Sequence, residues 1–195
     1  MRLAIFDFDG TITTKDSMVE FILYSVGKKA YYIGLLKLSP ILVAYKLKLY
    51  PNHKAKERLL AYFFKKMCLK EFQRLVTAYG DNEIDKIVRE EALERISWHK
   101  NRGDEVVVVS ASMECWLRPW CDRQKIQLIA TKLEISDGKF TGKFATKNCY
   151  GEEKVNRLRA GYHLEDYSYI YAYGDSRGDR EILALADESF YQPFR

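Results

Sequence analysis

A chain of 195 residues has room for one core domain and a modest insertion. With 47% hydrophobic and 30% charged residues, a net charge of +5 and no repeats or low-complexity tracts, it reads as an ordinary globular sequence, which excludes a disordered or fibrous chain. Four cysteines, Cys68, Cys115, Cys121 and Cys149, show no CxxC spacing and no nearby histidine pair, so reduced thiols in the cytosol are expected rather than a zinc site or a disulfide framework.

The chain opens on a short apolar run, Leu3 to Phe6, of strand length and closed by a turn signal at Gly10. Because the N-terminus carries a core strand, no signal peptide is expected. Alternate side chains of a strand share a face, so Asp7 and Asp9 point the same way while Phe6 and Phe8 point into packing. Two acids at the carboxyl end of a buried strand are costly unless a cation neutralises them. A hard cation, most simply Mg2+, takes oxygen ligands of this kind. A calcium loop of the EF-hand type fails on spacing, because Gly10 is fourth rather than sixth and Met18 stands where the twelfth-position Glu belongs.

Residues 13–95 read as helices. Asp16 or Ser17 can cap a first helix that Gly27 ends. From Phe21 to Lys56 there is no acid and there are seven lysines, so the remainder of the chain carries −2. Within that segment, residues 30–50 are apolar but not a clean transmembrane span, because Lys37 interrupts them and Pro40 is expected to break or kink the helix. A hairpin of short helices packed in the protein is one reading. A helix lying on an anionic lipid surface, with its lysines at the headgroups, is the other. Further helices are expected over Lys54–Lys66, over Leu69–Tyr79 with Gly80 closing it, and from Ile84 to Ile96 as one long amphipathic element ending before Gly103.

The period then changes. Glu105–Val109 is a β-branched run suited to a parallel strand buried on both faces. Ser110 is expected to close it, and a helix follows near Met113–Gln124. Leu128–Ala130 reads as a strand, Leu133–Phe140 as a hairpin turning at Asp137-Gly138, Glu152–Ala160 as a helix, Tyr169–Tyr173 as a strand, Asp179–Ala186 as a short helix and Glu188–Tyr191 as a last strand. Strands and helices in alternation make an α/β fold, a Rossmann-like doubly wound parallel sheet. Its core is expected from residues 1–12 and 96–195, with 13–95 inserted as an all-helical cap.

Polar residues fall where such sheets bind ligands, beyond the carboxyl ends of strands. They are Ser110 after the valine run, Lys154 early in a helix, and Asp175 and Asp179 in Gly174-Asp175-Ser176-Arg177-Gly178-Asp179. With Asp7-Phe8-Asp9-Gly10-Thr11 they resemble, in order, the four motifs of the haloacid dehalogenase-like hydrolases, and the resemblance spans nearly the whole chain. The resemblance implies a phosphomonoesterase. Asp7 is implied as the nucleophile that forms an aspartyl-phosphate and Asp9 as the acid and base. Ser110 and Lys154 are implied to hold the phosphoryl oxygens, and Mg2+ to be held by Asp7, the Asp9 backbone carbonyl and Asp175. Gly10, Thr11, Ala111, Ser176 and Asp179 are implied as supporting or substrate-binding residues.

The position of the helical insert resembles the C1 cap class. Phrases such as Val-Ser-Ala-Ser and Asn-Cys-Tyr-Gly-Glu-Glu-Lys resemble subfamily IB, the phosphoserine phosphatase-like hydrolases. Asp16 occupies the offset of that group's substrate-binding acid, and Arg58 stands as a lid arginine for a substrate carboxylate. Gly178 replaces the Asn of the usual fourth motif, and the apolar, basic segment looks more like that of phosphatidylglycerophosphatases. The expected partner is therefore a small phosphorylated metabolite such as phosphoserine, with a lipid phosphate as the alternative. A peripheral contact with an anionic membrane stays open for an otherwise cytoplasmic protein. A non-catalytic phosphate- or lipid-binding module is the reading from another class. No nucleic-acid partner is expected, since no recognised module appears.

Overall fold

The computed structural model describes residues 1–194. The core elements are β1 (Arg2–Phe6), β2 (Glu105–Met113), β3 (Gln127–Thr131), β6 (Tyr169–Gly174) and β7 (Glu188–Tyr191), with α5 (Glu114–Arg123), α6 (Glu152–Gly161) and α7 (Arg180–Leu185) between them. The five strands are all parallel, in the order β3-β2-β1-β6-β7. Both faces are covered, as the valine run requires. Leu3, Ile5, Val107 and Val109 pack with Val155, Leu158 and Ile182, while Ala4, Phe6, Val106 and Val108 face the opposite side, toward Trp116 and Trp120. The chain winds from β1 toward β3, then crosses back to β6 and β7. The order therefore reverses between β1 and β6, and a ligand crevice belongs at their carboxyl ends.

Between β1 and β2 the chain inserts α1 (Ser17–Lys46), α2 (Asn52–Phe64), α3 (Leu69–Asn82) and α4 (Glu90–Asn101). The two crossings into and out of the insert run side by side. Thr14 N donates to Ile87 O at 2.7 Å, Arg89 N donates to Ile12 O at 2.8 Å, and Thr13 pairs antiparallel with Val88. This pairing pulls Val88 into extended backbone. For that reason the single helix expected over Ile84–Ile96 is instead a short 3-10 turn, Ile84–Ile87, followed by α4. Helix α4 runs across residues 95 and 96, where the boundary between insert and core was expected.

As expected, Gly27 ends the first helical run of α1, its φ of 77° and ψ of 161° lying outside the helical region. Three other expectations change. The second run of α1 continues through Pro40 to Lys46. The ring removes one N–H from the ladder, and Leu36 and Pro40 both lie on the exposed side, where water can take up the freed carbonyl. Gly80 does not close α3. It sits where α3 crosses α5, and a Cβ there would come within 2.8 Å of the Trp116 carbonyl oxygen. Strand β2 likewise runs past Ser110 to Met113, with its pairing to β3 shifted between the two.

The remaining strands, β4 (Leu133–Ser136) and β5 (Lys139–Phe144), form an antiparallel hairpin outside the main sheet. The hairpin leans on the insert: Phe144 N donates to Glu57 Oε1 at 2.8 Å, and Phe140 stacks on Phe72 with ring centroids 5.7 Å apart. Insert and core meet in an aromatic cluster in which Phe21 stacks on Trp116 at 4.7 Å. Trp116 is fully buried. Trp116→Ala is expected to destabilise the fold by about 3–5 kcal/mol, measured as a drop in the urea midpoint. A change under about 1 kcal/mol would mean that the insert–core seam does not hold the fold together.

Candidate active site

Strand β1 ends at Phe6, and Asp7 follows with its N–H donating to Tyr173 O of β6 at 2.9 Å. The chain then turns tightly over Phe8–Ile12, with Gly10 at φ 82°. Glycine is required here twice over. The backbone is left-handed, and a Cβ would come within 2.4 Å of Asp175 Oδ2. The turn after β1 and the loop after β6 are therefore packed directly on one another.

Around this contact the acids converge. Asp7, Asp175 and Asp179 each offer a carboxylate oxygen, and these lie within 4.8 Å of one another. Lys154, at the first turn of α6 and 1% exposed, donates to Asp7 Oδ1 at 2.5 Å and to Asp179 Oδ1 at 2.6 Å. Thr11 Oγ1 donates to the other Asp7 oxygen at 3.2 Å. Asp179 Oδ2 accepts from the N–H groups of Asp175 and Ser176 and from Ser176 Oγ, so Ser176 and Asp179 brace the loop that carries Asp175.

The Asp9 carboxylate is held separately. Ser17 N donates to its Oδ1 at 2.7 Å, and Ser112 Oγ donates to its Oδ2. Ser17 Oγ donates to Ser112 Oγ at 3.0 Å, Trp116 Nε1 donates to Ser17 Oγ at 3.3 Å, and Tyr79 OH donates to Ser17 O at 3.0 Å. A buried chain of hydrogen bonds thus ties Asp9 to α1 and α3 of the insert. Ser110 is buried and accepts from Ser112 N at 3.0 Å. The carbonyl of Ala111, between the two serines, accepts from Lys56 Nζ of α2 at 3.2 Å.

Electrostatics follow from burial. Burial pushes the Asp7 carboxyl up to about 7, against the pull of Lys154. Burial, with the charge of Asp16 added, pushes Asp9 up to about 6, while hydrogen bonds from Ser112 and Ser17 restrain it. Burial would also raise Asp179, but Lys154 outweighs it and holds this carboxyl below its usual range. Burial alone would lower the Lys154 ammonium, yet Asp7 and Asp179 prevail and raise it. One ammonium set among four carboxylates leaves an excess of negative charge. A divalent cation with oxygen ligands is the chemistry that would balance it.

The remaining sequence-predicted residues are placed less centrally. Asp16 is exposed and caps α1, its Oδ1 accepting from Met18 N at 2.9 Å and Val19 N at 3.0 Å. Arg58 is exposed on α2, and the α2 side chain that reaches the site loops is Lys56. Sequence reasoning missed Ser112, Ser17, Tyr79 and Lys56. For Ser112 a signal existed: it lies two residues from Ser110, on the same side of an extended chain.

The chain matches the family model of haloacid dehalogenase-like hydrolases over residues 4–184. It belongs to that family. Among curated relatives of this haloacid dehalogenase-like hydrolase, protein CicA of Caulobacter vibrioides is 33% identical over 197 residues, covering 99% of this chain and 86% of its own length. A probable phosphatase of Mycobacterium tuberculosis is 31% identical over 208 residues, covering 98% of this chain and 69% of its own. Among solved structures, a phospho-aspartyl intermediate analogue of phosphoserine phosphatase superposes with a TM-score of 0.69 at 18% identity, over 97% of this chain and 85% of that one. That likeness shows the fold. The chain is therefore an enzyme, a hydrolase with the phosphoserine phosphatase-like fold of its family. Among the described residues, no helix is long and apolar enough to cross a membrane.

Proposed function

We propose that this hydrolase is a Mg2+-dependent phosphomonoesterase that works through an aspartyl-phosphate on Asp7. The observation that carries the reading is the convergence of Asp7, Asp175 and Asp179 with Lys154 at the switch point of the sheet. These acids fit a hard cation, which Asp7 and Asp175 would hold together with the Asp9 backbone carbonyl. Bound there, Mg2+ would offset charge on the phosphoryl oxygens. The named phosphatase among the relatives supports the same chemistry.

The chain's own residues supply the steps. An Asp7 oxygen attacks phosphorus in line while the bond from phosphorus to the leaving oxygen breaks. Asp9, pushed to about 6 and therefore poised near neutrality, gives its proton to the leaving alkoxide. It then takes a proton from water, which attacks the phosphorus and frees Asp7 and inorganic phosphate. Ser110 and Lys154 hold the phosphoryl oxygens against repulsion from the acids. The helical insert of residues 13–95 acts as a lid, and Lys56 reaches the site loops from it. The substrate is a small phosphorylated metabolite such as phosphoserine. A lipid-borne phosphate is the second reading, favoured by the exposed apolar residues Leu36 on α1 and Leu47 just past its end.

A screen of purified protein against phosphoserine, sugar phosphates, nucleotides and phosphatidylglycerophosphate tests this. Phosphate release that is abolished by a chelator and restored by Mg2+ is the expected result. Full turnover in the chelator would remove the metal from the account. Ser112→Ala tests the role of Asp9. Losing a hydrogen bond to the ionised carboxylate raises its pKa. The alkaline limb of kcat/KM, set by loss of the Asp9 proton, should therefore move to higher pH, and kcat should fall on the order of tenfold or more. A limb that stays in place in the pH–rate profile would assign the acid to another group.

A further inference from the structure

Helix α1 beyond Gly27 has two apolar faces. The inner one packs on α2, with Tyr31 8% exposed and stacked on Phe63. Gly34 sits so close to Phe63 that a Cβ would come within 2.3 Å of its ring. The outer face is bare. Tyr32 is 63% exposed, Leu36 75% and Val43 54%, with Leu47 at 64% and Leu49 at 78% just beyond the helix. At about 100° of rotation per residue, Tyr32, Leu36 and Val43 fall in one narrow stripe that Leu47 continues at the helix end; Lys28 and Lys46 line one edge of it, Lys29 falls within it, and Lys37 lies about 80° beyond the other edge. All four lysines are exposed.

We infer that this stripe docks the protein on an anionic bilayer, with the helix lying along the surface, its outer leucines among the acyl chains and its lysines at the lipid phosphates. An aliphatic stripe edged by lysines is the pattern of an interfacial helix. The charge selects the occupant. With no acid and seven lysines between Phe21 and Lys56, a second copy of the chain would meet like charge, whereas an anionic lipid surface is complementary. This docking requires neither phosphatase chemistry nor a lipid substrate.

Flotation of the full chain with vesicles tests it, with turnover of p-nitrophenyl phosphate followed separately. The expected result is binding to equimolar phosphatidylcholine–phosphatidylglycerol vesicles at low salt, weaker by about tenfold or more on pure phosphatidylcholine or at high salt. Leu36→Ser combined with Leu47→Ser, and separately Lys28→Gln with Lys37→Gln and Lys46→Gln, should each cut binding by about tenfold or more. Circular dichroism and soluble-substrate turnover should stay unchanged in both. No binding to the anionic vesicles at low salt, or variants that bind like the parent, would overturn the inference. So would a self-associated protein that ignores vesicles in sedimentation. Loss of turnover with binding intact would count against the proposed chemistry and leave docking standing.

Discussion

Asp7→Asn is expected to lower turnover on the order of 10^4-fold or more while leaving the protein folded. The amide cannot act as the attacking group, so no aspartyl-phosphate forms. The fold should tolerate the change for a reason visible in the site. Burial pushes the Asp7 carboxyl up to about 7, so its charge is held at a cost in the ion-free protein. Asn removes that charge, keeps an oxygen for Lys154, and leaves Lys154 paired with Asp179 at 2.6 Å. Circular dichroism and the urea midpoint should match or exceed those of the parent. Turnover within tenfold of the parent would place the nucleophile elsewhere.

Lys154→Ala is expected to do the opposite, damaging fold and activity together. Its ammonium is 1% exposed and bonds two carboxylates. Removing one partner of a buried ionic cluster leaves uncompensated charge and costs about 3–5 kcal/mol. The pH signs can be worked out. Lys154 is raised in the folded state, so its contribution is present below the ordinary lysine range and is lost only as pH rises through that raised value. Asp179 is depressed, so its share is present above the ordinary carboxylate range and is lost as pH falls through the depressed value. Asp7 stands at about 7 in the parent and higher without the lysine, so protonation of Asp7 relieves part of the deficit at neutral pH, and the deficit should be greatest between there and the ordinary lysine range, where urea denaturation of both proteins measures it. Without the lysine Asp7 rises further, more of it is protonated at neutral pH, and turnover falls as well. Mg2+ should restore part of the lost stability by supplying positive charge. A variant as stable as the parent would show that the cluster is not held by this charge.

The parts of the site that were readable in the sequence are those carried by short contiguous patterns. Asp7-Phe8-Asp9-Gly10-Thr11 and Gly174-Asp175-Ser176-Arg177-Gly178-Asp179 each follow an apolar run, and strand-end geometry alone brings them to one edge. The valine run identified β2 for the same kind of reason, since β-branched residues buried on both faces suit little else. The rest depended on relations that no local pattern carries. Val88 is extended because it pairs with Thr13, 75 residues away in the chain. Gly80 reads as a helix stop but is a point of close approach to α5. Pro40 reads as a break but lies on a face where a missing hydrogen bond is tolerated. Ser112, Ser17 and Tyr79 belong to residue types too common to single out, and only the closure of the insert on the core brings them to Asp9. Lys56 rather than Arg58 reaches the site because the rotation of α2 against the core selects one cation, and composition cannot.

The central claim is that Asp7 carries the phosphoryl group, and mass spectrometry of acid-quenched Asp9→Asn protein tests it most directly. This variant keeps the nucleophile but lacks the base that activates water, so with p-nitrophenyl phosphate, whose leaving group needs no proton, the intermediate should accumulate. The account predicts one added phosphoryl group on the peptide containing Asp7, absent from the Asp7→Asn control. Release of phosphate by the variant at an undiminished rate with no modified peptide, or a phosphoryl group on a different residue, would contradict it.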